Sequence, residues 1–341
     1  RILFVTDAWH PQVNGVVRTL ERLSENLPLL GVETVFLTPL EFRSLPMPTY
    51  PEIRLALATP RMVARRIEMA KTDHIHIVTE GPLGIMARRY CLKRGLPFTS
   101  SYHTRFPEYV RARLPFPESW SYAWLRRFHN AAAATMVATE SLRAELAGRG
   151  FTGLKPWTRG VDTDLFNPSR RDDLGLPRPI FLNVGRVAIE KNIGAFLDLN
   201  LPGSKVVVGD GPVFNALKSK YPGAHFLGEK KGAELARIYA SSDVFVVPSR
   251  TDTFGIVLLE ALASGLPVAA YPVTGPIDVV ADGVNGALSE NLGHAALKAL
   301  SLDRGAARQA AMCYSWRTCA EMILHEIEAV HANKARQPRR Q

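Results

Sequence analysis

Residues 244–267 read VFVVPSRTDTFGIVLLEALASGLP, and this stretch constrains the fold more than any other. Val244–Val247 is a short run of β-branched and aromatic residues, the pattern of a buried parallel strand. Ile256–Ala263 is rich in Leu and Ala and has no breaker, so it predicts a helix. The turn between them carries Asp252, Phe254 and Gly255. It therefore lies at a helix N-terminus, where free N–H groups and the helix dipole favour an anion. Glu260 follows about two turns into the helix, where a carboxylate can accept from sugar hydroxyls. A capped helix with a solvated glutamate would account for either acid alone. The strand, the glycine turn, two acids with seven residues between them and a second turn at Ser264–Pro267 together imply the phosphate and ribose end of a nucleotide site.

The same alternation extends through the chain. Ile2–Thr6, Thr34–Thr38, Ile75–Val78 and Phe98–Ser101 read as strands, with helical segments such as Gly15–Leu30 and Leu83–Arg94 between them. Strands that alternate with helices predict a parallel α/β sheet. The loop DAWHPQVN joins the first strand to a helix opening at Gly15, a residue that permits close backbone approach to a ligand. It is not a GxGxxG fingerprint, so a dinucleotide has no support there. His103 follows the strand that ends near Ser101, at the carboxyl edge where ligands bind in open sheets, with Arg105 beside it. A lone histidine is usually structural; the edge position makes this one a candidate, and His10 a possible lining residue.

In the second half, PIFLNV (179–184) is a strand closed by Gly185-Arg186, with Lys191 five residues further on. A fork donor and a point charge at one strand end suit a diphosphate. Val206–Val208 is closed by Gly209-Asp210-Gly211-Pro212, a turn that lets backbone approach a nucleotide. His225–Leu227, a helix at Ala233–Ala240, a strand-and-turn pattern over Asp278–Gly286 and a long amphipathic helix from Tyr314 to His331 complete the pattern.

A length of 341 residues allows two domains, and 46% hydrophobic with 22% charged residues is the composition of a soluble globular chain. No apolar run reaches the roughly 18 residues of a membrane span. The first residues already read as a strand, so no signal peptide is expected. Arg1, with no Met before it, leaves room for native residues upstream. Cys91, Cys313 and Cys319 have no metal-ligand spacing, which fits a reducing compartment.

The net charge of +10 is unevenly placed. Residues 1–160 hold 22 Lys+Arg against 13 Asp+Glu; residues 161–341 hold 20 against 19, four of those cations in the tail ANKARQPRRQ. Nucleic acid, an anionic membrane surface and a merely solvated basic face are all consistent with this. The cations have two foci. RMVARRIEMAK places Arg61, Arg65 and Arg66 near one helix face with Met62 and Ile67 among them. RARLPFPESWSYAWLRR mixes Arg111, Arg113, Arg126 and Arg127 with Phe116, Trp120, Tyr122 and Trp124. A membrane-surface segment needs that mixture, and a buried helix pair with a solvated basic face would look the same.

The Gly15 loop, His103, Gly185-Arg186 with Lys191, Gly209-Asp210-Gly211-Pro212 and Asp252 with Glu260 together resemble the retaining GT-B glycosyltransferases of family four, over nearly the whole chain. The resemblance implies two Rossmann-like α/β domains facing across a cleft. An N-terminal acceptor domain is expected over 1–162 and a C-terminal nucleotide-sugar domain over 163–312. A helix over 313–333 is expected to pack back toward the first domain, with a basic tail over 334–341. It further implies that Arg186 and Lys191 hold the donor diphosphate, and that backbone at Phe254, Gly255, Ile256 and Val257 binds the phosphates and sugar. Gly15, Gly209 and Gly211 line the donor, Glu260 takes the ribose, and Asp252 and His103 contact the transferred sugar. The family's paired-acid motif usually begins with Glu, and here Asp252 stands in its place, as in a lipid-glycosylating branch with a similar TDTFG sequence. TDAWHPQVNGVVRTL and YHTRFPEY are similar to bacterial enzymes that use GDP-mannose or UDP-sugars on lipid acceptors, including diacylglycerol glycosyl- and sulfoquinovosyltransferases.

The expected activity is retaining transfer of a sugar to a lipid or sugar acceptor, without a cofactor or an obligatory metal, since no DxD motif stands at a strand end. Trp120, Trp124, Arg126 and Arg127 are expected on the membrane or acceptor side. The expected place is cytoplasmic, peripheral at the inner face of the cell membrane, with no nucleic-acid partner. The rival readings are a sugar-nucleotide epimerase of GT-B fold and a non-enzymatic basic nucleic-acid-binding protein.

Overall fold

The structure, a computed structural model, describes residues 1–12, 14–47, 50–111 and 117–336. Arg113, Phe116 and the last five residues of the basic tail lie outside them. The chain forms two compact units. One comprises residues 1–158 with 316–341, and the other residues 159–315.

The first unit contains strands β1 (Ile2–Val5), β2 (Thr34–Leu37), β3 (Ser44–Met47), β4 (Tyr50–Ala56), β5 (His74–Ile77), β6 (Thr99–Tyr102), β7 (Ala134–Val137) and β8 (Leu154–Pro156). Its helices are α1 (Gly15–Asn26), α2 (Pro60–Ala70), α3 (Pro82–Arg94), α4 (Phe106–Arg111), α5 (Glu118–His129) and α6 (Glu140–Gly148). Six strands form a sheet in the order β2-β1-β5-β6-β7-β8, every pair parallel, while β3 and β4 make an antiparallel hairpin. The second unit holds β9 (Ile180–Val184), β10 (Ser204–Val208), β11 (His225–Phe226), β12 (Val244–Val247), β13 (Val268–Ala270) and β14 (Gly286–Leu288). Its helices are α7 (Ile193–Leu197), α8 (Phe214–Lys220), α9 (Gly232–Ser241), α10 (Ile256–Ala263), α11 (Pro276–Val279), α12 (Leu292–Ala299) and α13 (Arg304–Ala311). Its sheet is also wholly parallel, in the order β11-β10-β9-β12-β13-β14.

The two orders are the same pattern used twice. In each, the chain runs outward from a first strand, returns, and continues on that strand's other side. The reversal falls between β1 and β5 in the first unit and between β9 and β12 in the second. Ligands of open α/β sheets bind beyond the carboxyl ends of the strands at such a point.

Parallel strands covered on both faces should be apolar throughout. That holds for β12, where all four residues are buried. In the second unit Phe181, Val207, Val244 and Val246 pack with Phe196 of α7 and Ala295 and Ala296 of α12. The first unit departs from it. His74, His76, Thr99 and Ser101 are buried on β5 and β6. They form one chain: His74 meets Thr99 at 2.9 Å, Thr99 meets His76 at 2.8 Å, and His76 meets Ser101 at 2.7 Å. The last helix, α14 (Trp316–Arg336), continues that chain through His331, 3.1 Å from His74. It is tied further by the Trp157 Nε1–H bond to the Cys319 carbonyl at 2.9 Å and by Lys155 with Glu326 at 3.1 Å. Burial, followed by the charge of His331, pushes the His74 imidazole down to about 3.

Two sequence expectations are corrected. The helix expected over Gly15–Leu30 stops at Asn26, because Pro28 opens a separate 3₁₀ turn over Pro28–Leu30. The strand-and-turn reading of Asp278–Gly286 holds only at its end. Pro276 starts the helical turn α11, the Asp278 carboxylate accepts from the Gly275 N–H at 3.2 Å, and the strand begins at Gly286.

Candidate active site

In the second unit the strand ends at the reversal carry the residues singled out from the sequence. Gly185 and Arg186 follow β9, and the Asp252 turn follows β12. The Lys191 ammonium donates to the Asp252 carboxylate, joining the two loops. An ammonium has three N–H groups, so it can hold Asp252 and still offer a donor to a phosphate oxygen. Asn192, which the sequence reading missed, fixes that lysine. It sits at φ 52°, where a short polar side chain is tolerated, and its amide donates to the Pro248 carbonyl at 3.0 Å. The signal for it was an asparagine standing directly before a helix.

Gly209 and Gly211 bring two loops of this sheet edge into backbone contact. A Cβ on Gly209 would lie 1.9 Å from the Gly185 carbonyl oxygen, and one on Gly211 would lie 2.4 Å from that of Val187. They allow the loops after β9 and β10 to touch, as the Val187 N–H bond to the Asp210 carbonyl at 2.9 Å confirms. Gly185 is the glycine with open space: at φ 151° a Cβ there would meet nothing within 4 Å.

Gly255, at φ 83°, opens α10 and supplies no side-chain cap, so the first-turn amides at Ile256 and Val257 face outward from a helix N-terminus. Phe254 is buried edge-on against Tyr314 at 6.3 Å. Arg186 is half-buried. Glu260 lies in the interior, 2% exposed, and accepts from the Tyr239 hydroxyl at 3.0 Å. The arrangement offers two cations, a helix N-terminus and an unobstructed glycine at one sheet edge, which is the equipment for a diphosphate.

In the first unit Gly15 opens α1, whose first turn is capped by the Asn14 side chain at 3.0 Å to both the Val16 and Val17 N–H groups. His103 follows β6 half-buried, edge-on to buried Trp157 at 5.7 Å. Arg105 is built into the fold: buried, it pairs with Glu108 at 3.1 Å and Glu145 at 2.5 Å. Burial opposes its charge, yet those carboxylates outweigh it and hold the guanidinium above its usual range. On α5, Trp120 is 66% and Trp124 42% exposed, and Arg126 and Arg127 are exposed beside them.

The sequence reading also missed Asp7 and the EGPLG turn. Asp7 follows β1 and its carboxylate occupies the N-terminus of α3, accepting from the Leu83 N–H at 2.9 Å, the Gly84 N–H at 3.3 Å and the Thr79 hydroxyl at 3.1 Å. Burial pushes this carboxyl up to about 6 against the pull of those hydrogen bonds. Among the described residues no cluster of three His, Cys, Asp or Glu side chains has the geometry to hold a metal ion.

Comparison with known proteins places this architecture. The family described as Glycosyltransferase Family 4 matches residues 13–165, and Glycosyl transferases group 1 matches residues 178–302. A GDP-mannose-dependent alpha-mannosyltransferase of Mycobacterium tuberculosis is 30% identical, over 99% of this chain and 98% of its own. The sulfoquinovosyl transferase SQD2 of Arabidopsis thaliana is 32% identical over 83% of this chain, which spans 62% of that longer protein. Among solved structures, sucrose-phosphate synthase from Thermosynechococcus elongatus superposes with a TM-score of 0.76 over 97% of this chain and 99% of its own, at 20% identity. Anabaena HepE with UDP-glucose gives 0.72 over 96% and 99%, at 16% identity. These structures share the fold. Two Rossmann-like units, both matched by glycosyltransferase family models, define a glycosyltransferase of the GT-B class. Within that class, the chain belongs to glycosyltransferase family 4.

Proposed function

We propose that the protein is a retaining glycosyltransferase that moves a sugar from a nucleoside diphosphate donor, UDP- or GDP-linked, to the hydroxyl of a membrane lipid such as diacylglycerol, forming an α-glycoside. The observation that carries the donor reading is the meeting of Arg186, Lys191 with Asp252, open Gly185 and the α10 N-terminus at one strand reversal. Arg186 and Lys191 neutralise the charge that grows on the diphosphate as the sugar departs, the role a metal plays in other transferases. Glu260, steadied by Tyr239, is assigned to the ribose, and Asp252 and His103 to the transferred sugar. The leaving phosphate takes the acceptor's proton, which keeps the incoming bond on the face the donor leaves. The mannosyltransferase and sulfoquinovosyl relatives support the donor class. An alpha-monoglucosyldiacylglycerol synthase of Acholeplasma laidlawii, 27% identical over 79% of each chain, supports the acceptor.

An anionic bilayer is the proposed site of work. No helix among the described residues is long and apolar enough to cross a membrane. Three helices of the first unit instead present apolar side chains between cations. Met62, Met69, Arg65 and Arg66 of α2 are exposed, as are Ile85, Leu92, Arg89 and Lys93 of α3. Arg94 of α3 pairs with Glu68 of α2 at 2.9 Å, and Arg88 of α3 donates to the Arg127 carbonyl of α5 at 2.8 Å, so the three lie side by side. Such a face suits a lipid headgroup layer. Incubation with UDP-glucose and with GDP-mannose, in the presence of anionic vesicles containing diacylglycerol, tests the function. An α-anomeric glycolipid is expected; a β-anomer, or nucleotide release without glycolipid, would contradict the reading.

A further inference from the structure

We propose that Glu80, held by buried His129, is the residue of the first unit that takes the acceptor hydroxyl; this rests on the reading of the chain as a transferase to a hydroxyl-bearing acceptor. Glu80 lies in the loop between β5 and α3, at the strand reversal of the first sheet. The second unit leaves the helix N-terminus at its reversal to an anion. The first unit does the opposite. The α3 amides are already taken by the Asp7 carboxylate, and the fit is so close that a Cβ on Gly81 would lie 2.4 Å from the Asp7 Cγ. A phosphate there would meet a carboxylate in place of donors. A neutral hydroxyl, which needs an acceptor for its proton, suits such an edge.

Glu80 is prepared to be that acceptor. One carboxylate oxygen receives His129 Nε2 at 2.9 Å, and the opposite ring nitrogen meets the Ser100 hydroxyl at 2.9 Å, which in turn meets Thr135 at 2.9 Å. The His129 side chain is fully buried, with rings of Phe128, Tyr102 and Phe151 around it, so the imidazole cannot rotate away. Glu80 itself keeps 17% of its side chain exposed, and the bond to His129 is the one hydrogen bond it makes among the described residues. A second oxygen thus remains for a ligand. The Tyr102 hydroxyl, buried at the end of β6, has no hydrogen-bond partner among the described residues. Burial, with the charges of Tyr122, Glu108 and Glu80, holds that phenol in its protonated, donating form. His129 is a positioning residue, and Glu80 the group that touches the acceptor. No bond to the protein forms: Glu80 holds the acceptor hydroxyl by accepting its hydrogen bond before reaction, and as the oxygen bonds to the sugar that proton passes to the departing donor phosphate.

The test uses the full chain with Glu80→Gln, Glu80→Ala and His129→Phe, the last keeping an aromatic ring in the cluster. Acceptor KM is measured with short-chain diacylglycerol in micelles, glycerol and inositol. Nucleotide binding is measured in parallel by the melting shift with UDP and GDP, and donor hydrolysis without acceptor. All three variants should raise acceptor KM by about tenfold or more, the loss expected for a charge-assisted hydrogen bond, and leave the nucleotide shift within about twofold of the parent. An unchanged acceptor KM in Glu80→Ala, or an equal loss of nucleotide binding, would overturn the inference. A parent that glycosylates glycerol or inositol but no lipid would contradict the lipid reading alone, with the Glu80 effect then read on the polyol. A parent whose donor turnover responds to no hydroxyl compound would overturn both.

Discussion

The two units are the same strand order carrying opposite chemistry at the same place. At its reversal the second unit sets Arg186 and Lys191 beside an uncapped helix and a glycine with open space in front of it. At its reversal the first unit plugs the equivalent helix with Asp7 and presents Glu80. The interiors differ in the same way: β12 is apolar throughout, whereas β5 and β6 carry a hydrogen-bonded row of histidines and hydroxyls. On the proposed function, sheet order sets where a ligand goes and the few residues at the strand ends decide which ligand it is.

The largest expected difference between the units is in acid. His74 has its folded pKa pushed from 6.5 down to about 3, so its contribution to stability is complete above 6.5 and is lost as pH falls toward 3. That is on the order of 5 kcal/mol. Asp7 acts in the other direction, since a carboxyl raised to about 6 contributes below 3.8 and loses that contribution as pH rises through 6, but its shift is the smaller. The second unit buries no histidine among its described residues. Hydrogen exchange at pH 7.5 and 3.5, a span over which the larger His74 shift outweighs that of Asp7, should show β5 and β6 losing protection before β9 and β12, and His74→Asn should flatten the difference. Parallel loss in both units would break the comparison.

Next in size is the edge proposed to hold the diphosphate. Arg186→Ala and Lys191→Ala should each raise the barrier to transfer by about 2–4 kcal/mol, as the loss of one preorganised charge contact does, with the fold intact. Steady-state turnover checks this, and near-normal rates in either variant would remove the charge from the donor's account. The smallest effect is at the surface. Arg127→Ala, or Trp124→Ala, should weaken sedimentation with anionic vesicles by roughly 1 kcal/mol in partitioning, an effect lost at high salt for the arginine and kept for the tryptophan. Equal binding of parent and variants to neutral and anionic vesicles would mean that this face is merely solvated.

Much of this is legible in the sequence. Val244–Val247 and Ile256–Ala263 appear with the same ends that their composition implied, because a β-branched run and a Leu/Ala run leave little choice of state. The histidine-bearing β5 and the Thr-Ser-Ser-Tyr of β6 were readable as strands. Their polar pairing was not, since it depends on neighbours distant in sequence. The hairpin β3–β4 escaped because two prolines interrupt its pattern. At the site, the cations and acids of the second unit announce themselves by type and spacing. Gly209 stands out in its turn and Asn192 before its helix, but the backbone contacts they permit do not; Asp7 and Glu80 act through partners more than 40 residues away, which no single stretch of sequence displays.

The claim on which the rest depends is that the second unit's strand reversal holds a nucleoside diphosphate. Thermal unfolding of the parent with UDP and with GDP, repeated on Arg186→Ala and Glu80→Ala, tests it most directly. A ligand at about a hundredfold its Kd stabilises the native state by roughly 2.7 kcal/mol. One of the two nucleotides is expected to raise Tm in the parent and in Glu80→Ala, and the rise to disappear in Arg186→Ala. No rise with either nucleotide, or an equal rise in Arg186→Ala, would contradict it.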